Sequence, residues 1–174
     1  MKRCFILALS LLFATACERN SYTLYSRRYH VSFTCDMAVS PYNQLSTPGR
    51  FISIRKIKSD NECKLHMVDS DGAKFDQELD ARQDALFDLG LCGLIMGTPL
   101  FDNDSFSVWA FDLGCPECDQ ADVRLTFDQQ GNASCSKCGG IWALNTDGVS
   151  TNGKKRPLFR YPVVCNNGVL TVAN

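Results

Sequence analysis

The sequence predicts a mainly β domain that carries a two-knuckle metal-binding subdomain and one short inserted helix. Three observations predict it. Beyond residue 28 the chain breaks into short β-branched and aromatic runs separated by turn residues. One stretch, Phe75–Leu89, has helical spacing instead. Finally, Cys115-Pro116-Glu117-Cys118 and Cys135-Ser136-Lys137-Cys138 are two Cys-x-x-Cys pairs with sixteen residues between them. Each tight knuckle aims two sulfurs at one point, and two knuckles joined by a hairpin complete a four-sulfur shell.

The chain opens with the basic Met1-Lys2-Arg3 and then runs apolar over twelve residues, Phe5 to Ala16. This is the pattern of an export signal, too short for a stable membrane span. The run ends Ala14-Thr15-Ala16-Cys17, which resembles a bacterial lipobox. The resemblance implies a signal peptide over 1–16, cleavage before Cys17, and acylation of Cys17 with chains such as palmitate. Several acyl chains on one residue anchor a protein stably. Residues 17–28 are polar without an apolar period and read as a tether. Glu18 is not the aspartate that retains some lipoproteins at the inner membrane, so the expected place is the cell envelope, at the outer membrane. Losing Lys2 and Arg3 leaves 16 basic against 19 acidic residues, a formal charge of −3, which gives no reason to expect nucleic acid as a partner. The basic run Lys154-Lys155-Arg156 reads as a solvated loop.

The body is expected over residues 29–174. Tyr29–Asp36 and Phe51–Ile57 read as strands, the second after a Pro48-Gly49 turn. Leu65–Val68 is a further short strand. Phe75–Leu89 puts apolar residues at 75, 79, 85, 86 and 89, predicting the amphipathic helix, with Gly90 as its stop. Leu91–Met96 is a continuous apolar run suited to a buried strand. Phe106–Phe111 leads into the first knuckle. Val123–Phe127 and Ala133–Cys135 form a hairpin around Gln129-Gln130-Gly131-Asn132. Gly139, just past the last ligand, is where a knuckle needs positive φ. Ile141–Leu144, Phe159–Val164 and Val169–Val172 complete the C-terminal half, and Asn167-Gly168 is a strong hairpin turn.

From Leu91 to Val172 the chain resembles the Rieske iron–sulfur fold. The residues that carry it are Trp109-Ala110-Phe111-Asp112 running into Cys115-Pro116, a hairpin of similar length to Cys135-Ser136-Lys137-Cys138-Gly139, and the continuation Ile141-Trp142-Ala143-Leu144-Asn145-Thr146-Asp147-Gly148. Arg156-Pro157-Leu158, Tyr161-Pro162-Val163 and Asn167-Gly168-Val169 look like its closing hairpin. The resemblance implies a Rieske-like β sandwich with residues 58–90 as an insertion and a metal-binding subdomain at about 112–145. It departs from the family where the chemistry lies. A Rieske centre takes two histidines on one iron. Here Glu117 and Cys138 occupy those positions, and the only histidines, His30 and His66, lie far upstream. The histidine ligation therefore does not carry over. A zinc-ribbon or rubredoxin pair of knuckles has the same local construction.

Cys115, Cys118, Cys135 and Cys138 suit zinc, a single iron or a [2Fe-2S] cluster. Two redox dithiols or two disulfides are the other readings of the same residues. Zinc ranks first because it binds after export of an unfolded chain and needs no assembly machinery. A closed four-thiolate shell has no open position for water, so such a zinc would be structural. Iron or a two-iron cluster would instead make the protein an electron carrier. The acids Asp112, Glu117, Asp119 and Asp122 read as surface charge, and Trp109 and Trp142 as cover for the sulfurs. No catalytic constellation emerges. Cys35, Cys63, Cys92 and Cys165 remain, either as buried thiols or as two disulfides with three connectivities. The resemblance makes Cys35 with Cys165 the first candidate pair and Cys63 with Cys92 the residual one. The expected function is a non-catalytic lipoprotein held on the membrane through Cys17, binding an envelope protein partner whose identity the residues do not specify.

Overall fold

The computed structural model describes residues 29–59, 62–101 and 107–174. The expected signal peptide, the lipidated Cys17 and the tether lie outside these residues, as does Phe106. Among the described residues no helix is long and apolar enough to cross a membrane.

The chain is mainly β. Its strands are β1 (Val31–Asp36), β2 (Phe51–Lys58), β3 (Cys63–Asp69), β4 (Lys74–Glu78), β5 (Asp88–Leu89), β6 (Leu94–Gly97) and β7 (Trp109–Asp112). They continue as β8 (Thr126–Phe127), β9 (Asn132–Ser134), β10 (Ile141–Ala143), β11 (Val149–Ser150), β12 (Arg160–Tyr161), β13 (Val163–Asn166) and β14 (Val169–Ala173). Among the described residues they form three antiparallel sheets, ordered β13-β14-β1-β5, β12-β7-β6-β2-β3-β4 and β11-β10-β9-β8.

The six-stranded sheet is the middle layer. Alternation along its strands sends Ile52, Ile54, Leu65, Met67, Leu94 and Met96 to one face, where they join Val31, Phe33, Leu170 and Val172 of the first sheet in one core. The opposite face carries Phe51, Ile95 and Phe111, which form a second core with the small third sheet. The two-residue turn Asn167-Gly168 closes β13 onto β14 with φ of 50° and 82°, the positive values that a tight hairpin needs. Pro162 lies where the chain leaves β7, its partner through β12, to pair with β14 through β13. The predicted single strand Phe159–Val164 is therefore split, because proline donates no ladder hydrogen bond.

The predicted helix over Phe75–Leu89 is corrected. Lys74–Glu78 is an edge strand that pairs with β3 in the register Met67↔Phe75 and Leu65↔Gln77. Only Ala81–Leu86 is helical, as α1. Asp80 starts it with a capping box: its carboxylate accepts the Gln83 N–H at 2.7 Å, and the Gln83 side chain accepts the Asp80 N–H. Phe75 and Leu79 satisfy strand alternation as well as helical spacing, and the exposed edge of β3 decides in favour of the strand. The Leu91–Met96 run is likewise shorter as a strand, since Leu91–Gly93 turns the chain into β6. Of Val123–Phe127 only the last two residues are strand, with Arg124 in an isolated bridge to Gly114.

Candidate metal centre

Each knuckle grows from the end of a ladder. After β7, Leu125 N–H donates to Leu113 O at 2.9 Å and Cys115 N–H to Val123 O at 3.0 Å, delivering Cys115 at the sheet's end. In the first knuckle Asp119 N–H returns to Cys115 O at 3.0 Å, and Cys118 N–H points at Cys115 Sγ at 3.4 Å. In the second, Gly139 N–H returns to Cys135 O and Cys135 N–H reaches Gly140 O, both at 2.9 Å. The residue after each second cysteine has positive φ, 53° at Asp119 and 67° at Gly139. The expectation at Gly139 holds. Asp119 does the same work with a side chain, one of the few residue types that tolerate this conformation.

The two knuckles converge. Cys115 Sγ lies 3.6 Å from Cys138 Sγ, and Cys118 Sγ lies 3.8 Å from Cys135 Sγ. All four sulfurs fall within 4.8 Å of one another. A tetrahedron with metal–sulfur bonds of about 2.3 Å has edges of about 3.8 Å, so the group can hold a metal ion. Cys115 and Cys135 are buried, while Cys118 and Cys138 are half-buried toward the surface. Burial pushes the Cys115 and Cys118 thiols up. Against burial, which would raise it too, the backbone N–H groups of Cys138 and Lys137 bring the Cys135 thiol below its ordinary value.

A strap over residues 152–156 ties both knuckles together. Asn152 donates its amide to Gly139 O at 2.7 Å, and Lys154 Nζ donates to Cys138 O at 2.9 Å. Arg156 holds the other side: its N–H donates to Glu117 Oε1 at 2.8 Å and its guanidinium to Pro116 O at 3.0 Å. The same guanidinium lies 3.5 Å from the Asp119 carboxylate. Buried Trp142 donates its indole N–H to Arg156 O at 2.8 Å, fixing the strap to the core. Lys137 Nζ also bonds Gln120 Oε1, from one knuckle to the loop of the other. The reading of Lys154-Lys155-Arg156 as a solvated loop is thus corrected for Lys154 and Arg156. The only trace in the sequence is the complementary charge of Glu117 and Asp119.

The acids near the first knuckle are also more than surface charge. Asp112 is buried and accepts from Tyr161 Oη at 2.6 Å, Gly114 N at 2.6 Å and Leu91 N at 3.0 Å. Burial pushes its carboxyl above the usual carboxylate range despite these bonds. Trp109 and Trp142 pack in the same cluster as the cysteines, as expected, and Arg160 sits 4.2 Å over the Trp109 ring. His30 and His66 pair with Asp88 and Asp76 at 3.2 and 2.7 Å and take no part in the sulfur group.

The disulfide expectations are corrected. Cys35, Cys63, Cys92 and Cys165 are all free. Cys35 on β1 and Cys165 on β13 both face Leu170, but from opposite sides of β14. Two strand spacings separate their Cα atoms by roughly 9–10 Å, beyond the ~7 Å that a disulfide spans. Burial pushes the Cys35 thiol up to about 12, as for a small core residue. Cys63 donates to Asp84 Oδ1 at 2.9 Å and Cys92 to Ala121 O at 3.0 Å, so each has its own partner.

No protein-family model matches the chain, and no curated protein matches it.

Proposed function

We propose that the protein is a non-catalytic lipoprotein of the bacterial cell envelope, anchored at the outer membrane through acylated Cys17, with a Rieske-like body and a structural zinc on Cys115, Cys118, Cys135 and Cys138. The observation that carries the metal reading is the convergence of four sulfurs within 4.8 Å. A two-iron cluster spreads its thiolates over two metals, so this tight shell favours a single ion. Four thiolates leave no place for water or substrate, which suits a structural role. The strap supports that role, because it closes over the knuckles and brings Lys154 and Arg156 beside a centre that would carry net negative charge. Strand Trp109–Asp112 entering the first knuckle and the Asn167-Gly168 closing hairpin support the Rieske-like reading.

A second reading, an electron carrier with a single iron, draws on one observation. Backbone N–H groups aim at the sulfurs, as at Cys118 N to Cys115 Sγ, and the half-buried Cys118 and Cys138 lie toward the surface. Elemental analysis and visible spectra of protein purified from its native cells separate the two. Colourless protein with about one zinc per chain and an acylated N-terminus by intact mass is the expected result. Coloured protein with iron replaces the structural reading with the carrier, and an unmodified N-terminus removes the anchor.

A further inference from the structure

The metal subdomain covers only part of the second face of the six-stranded sheet. Phe51, Ile95 and Phe111 lie under it, whereas Ser53, Arg55 and Val68 on the same face do not join that core. Between this part of the face and the underside of the metal subdomain lies a half-open cavity of about 570 Å³, within the usual size range of small-molecule sites. Val68, Leu113, Leu125 and Phe127 give it apolar walls.

Its polar groups divide into two kinds. Most are satisfied inside the protein. Ser53 donates to Val68 O, and Ser70 donates to Phe51 O while accepting the Phe51 N–H. Asp69 caps its own turn through the N–H groups of Asp71 and Ala73, and Asp71 pairs with Arg50 and Gln129. Thr126 bonds Ser134. The two remaining groups are guanidinium ions. Arg55 is half-buried in the interior of β2, and Arg124 is exposed on the opposite wall. Neither makes a hydrogen bond or ion pair among the described residues. Arg50 offsets Asp71, and Asp69 is held only by backbone N–H groups, so the lining sets two guanidinium charges against one carboxylate and its net charge is positive. With no partner among the described residues, the five guanidinium donors of Arg55 are available to a ligand in the cavity.

The geometry points to a binding site for a small anionic amphiphile, with a carboxylate on Arg55 and Arg124 and an apolar body along Val68, Leu113, Leu125 and Phe127. Guanidinium–carboxylate pairs are bidentate and directional, so the charge fixes orientation while the apolar walls supply burial. This inference rests on the cavity alone and stands whichever ion the four cysteines hold. The back wall is nonetheless continuous with the metal centre, since Arg124 bridges Gly114 and Cys115 N–H donates to Val123 O.

Decanoate, which has both a carboxylate and an apolar body, is the probe. It is titrated into the metal-loaded protein while backbone amide shifts are followed by NMR, beside decanol (body without charge) and acetate (charge without body). The expected result is saturable decanoate binding that shifts Arg55, Leu113, Arg124 and Leu125, with decanol and acetate about tenfold weaker or worse. Arg55→Gln and Arg124→Gln should each weaken decanoate about tenfold, the scale of one lost charge-assisted pair. Their metal content and thermal midpoint should stay unchanged, since neither side chain supports the fold. Absence of saturable binding, shifts mapping elsewhere, decanol binding as tightly as decanoate, or full affinity in both arginine variants would each overturn the assignment.

Discussion

The two faces of the six-stranded sheet are held by different physics. On the body side, seventeen buried residues, almost all aliphatic or aromatic, join long strands such as β2 and β3 of eight and seven residues. On the metal side, three of twelve buried residues are cysteines, and the small sheet is built from strands of two or three residues. Strands that short are not stable by pairing alone. The body can rest on buried area, whereas the metal side needs a cross-link among its loops, and four converging thiols offer one. The lesson is that one chain can place a hydrophobic core on one face of a sheet and a four-thiol group able to hold a metal on the other.

The largest expected effect breaks that comparison most directly. On the proposed metal reading, removing the ion with a chelator, or Cys115→Ser, should cost the metal side several kcal/mol, because metal binding and folding are linked. Amide hydrogen exchange should then accelerate across β8–β11 while β1–β3 and β14 stay protected. Ile54→Ala is the converse, lowering the body's stability by about 2–5 kcal/mol with metal content retained. If both changes open both faces equally, the two sides are one cooperative unit and the contrast fails.

A smaller effect sharpens the comparison inside the metal side. Gly139 has φ of 67° and no atom near the position its Cβ would take. Gly139→Ala should therefore cost only the backbone strain, about 1–2 kcal/mol, read as a lower thermal midpoint of the metal-loaded protein. Asp119 already bears that strain, so Asp119→Gly should relieve it and lose the Arg156 contact, for a net change well below that at Gly139. A loss as large as that of Gly139→Ala would show the contacts of the Asp119 side chain, Arg156 among them, to matter more than the backbone.

The smallest effect belongs to the body. The Cys63 thiol and Lys56 bond the Asp84 carboxylate and lower its pKa from 3.8 to about 2. The ionised form is favoured in the folded state, so its contribution is complete above the ordinary carboxylate range and disappears as pH falls from about 4 toward 2. In acid titrations of the metal-free protein, Asp84→Asn should flatten stability over that window and leave it unaltered in shape near neutrality. An unchanged acid limb would show that the pair is too solvated to count.

The sequence by itself determined the features whose physics is local. Cys115, Cys118, Cys135 and Cys138 were legible because ligand type and a two-residue gap define a knuckle without reference to the rest of the chain. Gly139, the Asn167-Gly168 hairpin and the mainly β character were legible for the same reason, since φ preference and alternation act over a few residues. Only the tertiary structure decided what depends on a distant partner. Phe75–Glu78 became a strand because β3 offered an edge. Cys35 and Cys165 stayed apart because β14 runs between them. Lys154 and Arg156 became a strap because their hydrogen bonds reach carbonyls and a carboxylate 16 to 40 positions away. Asp112 went inside because Tyr161 and two backbone N–H groups meet it there. The groove between Arg55 and Arg124 exists only because the metal subdomain stops short of covering the sheet. Contacts across such separations follow from packing, which short-range pattern and propensity do not encode.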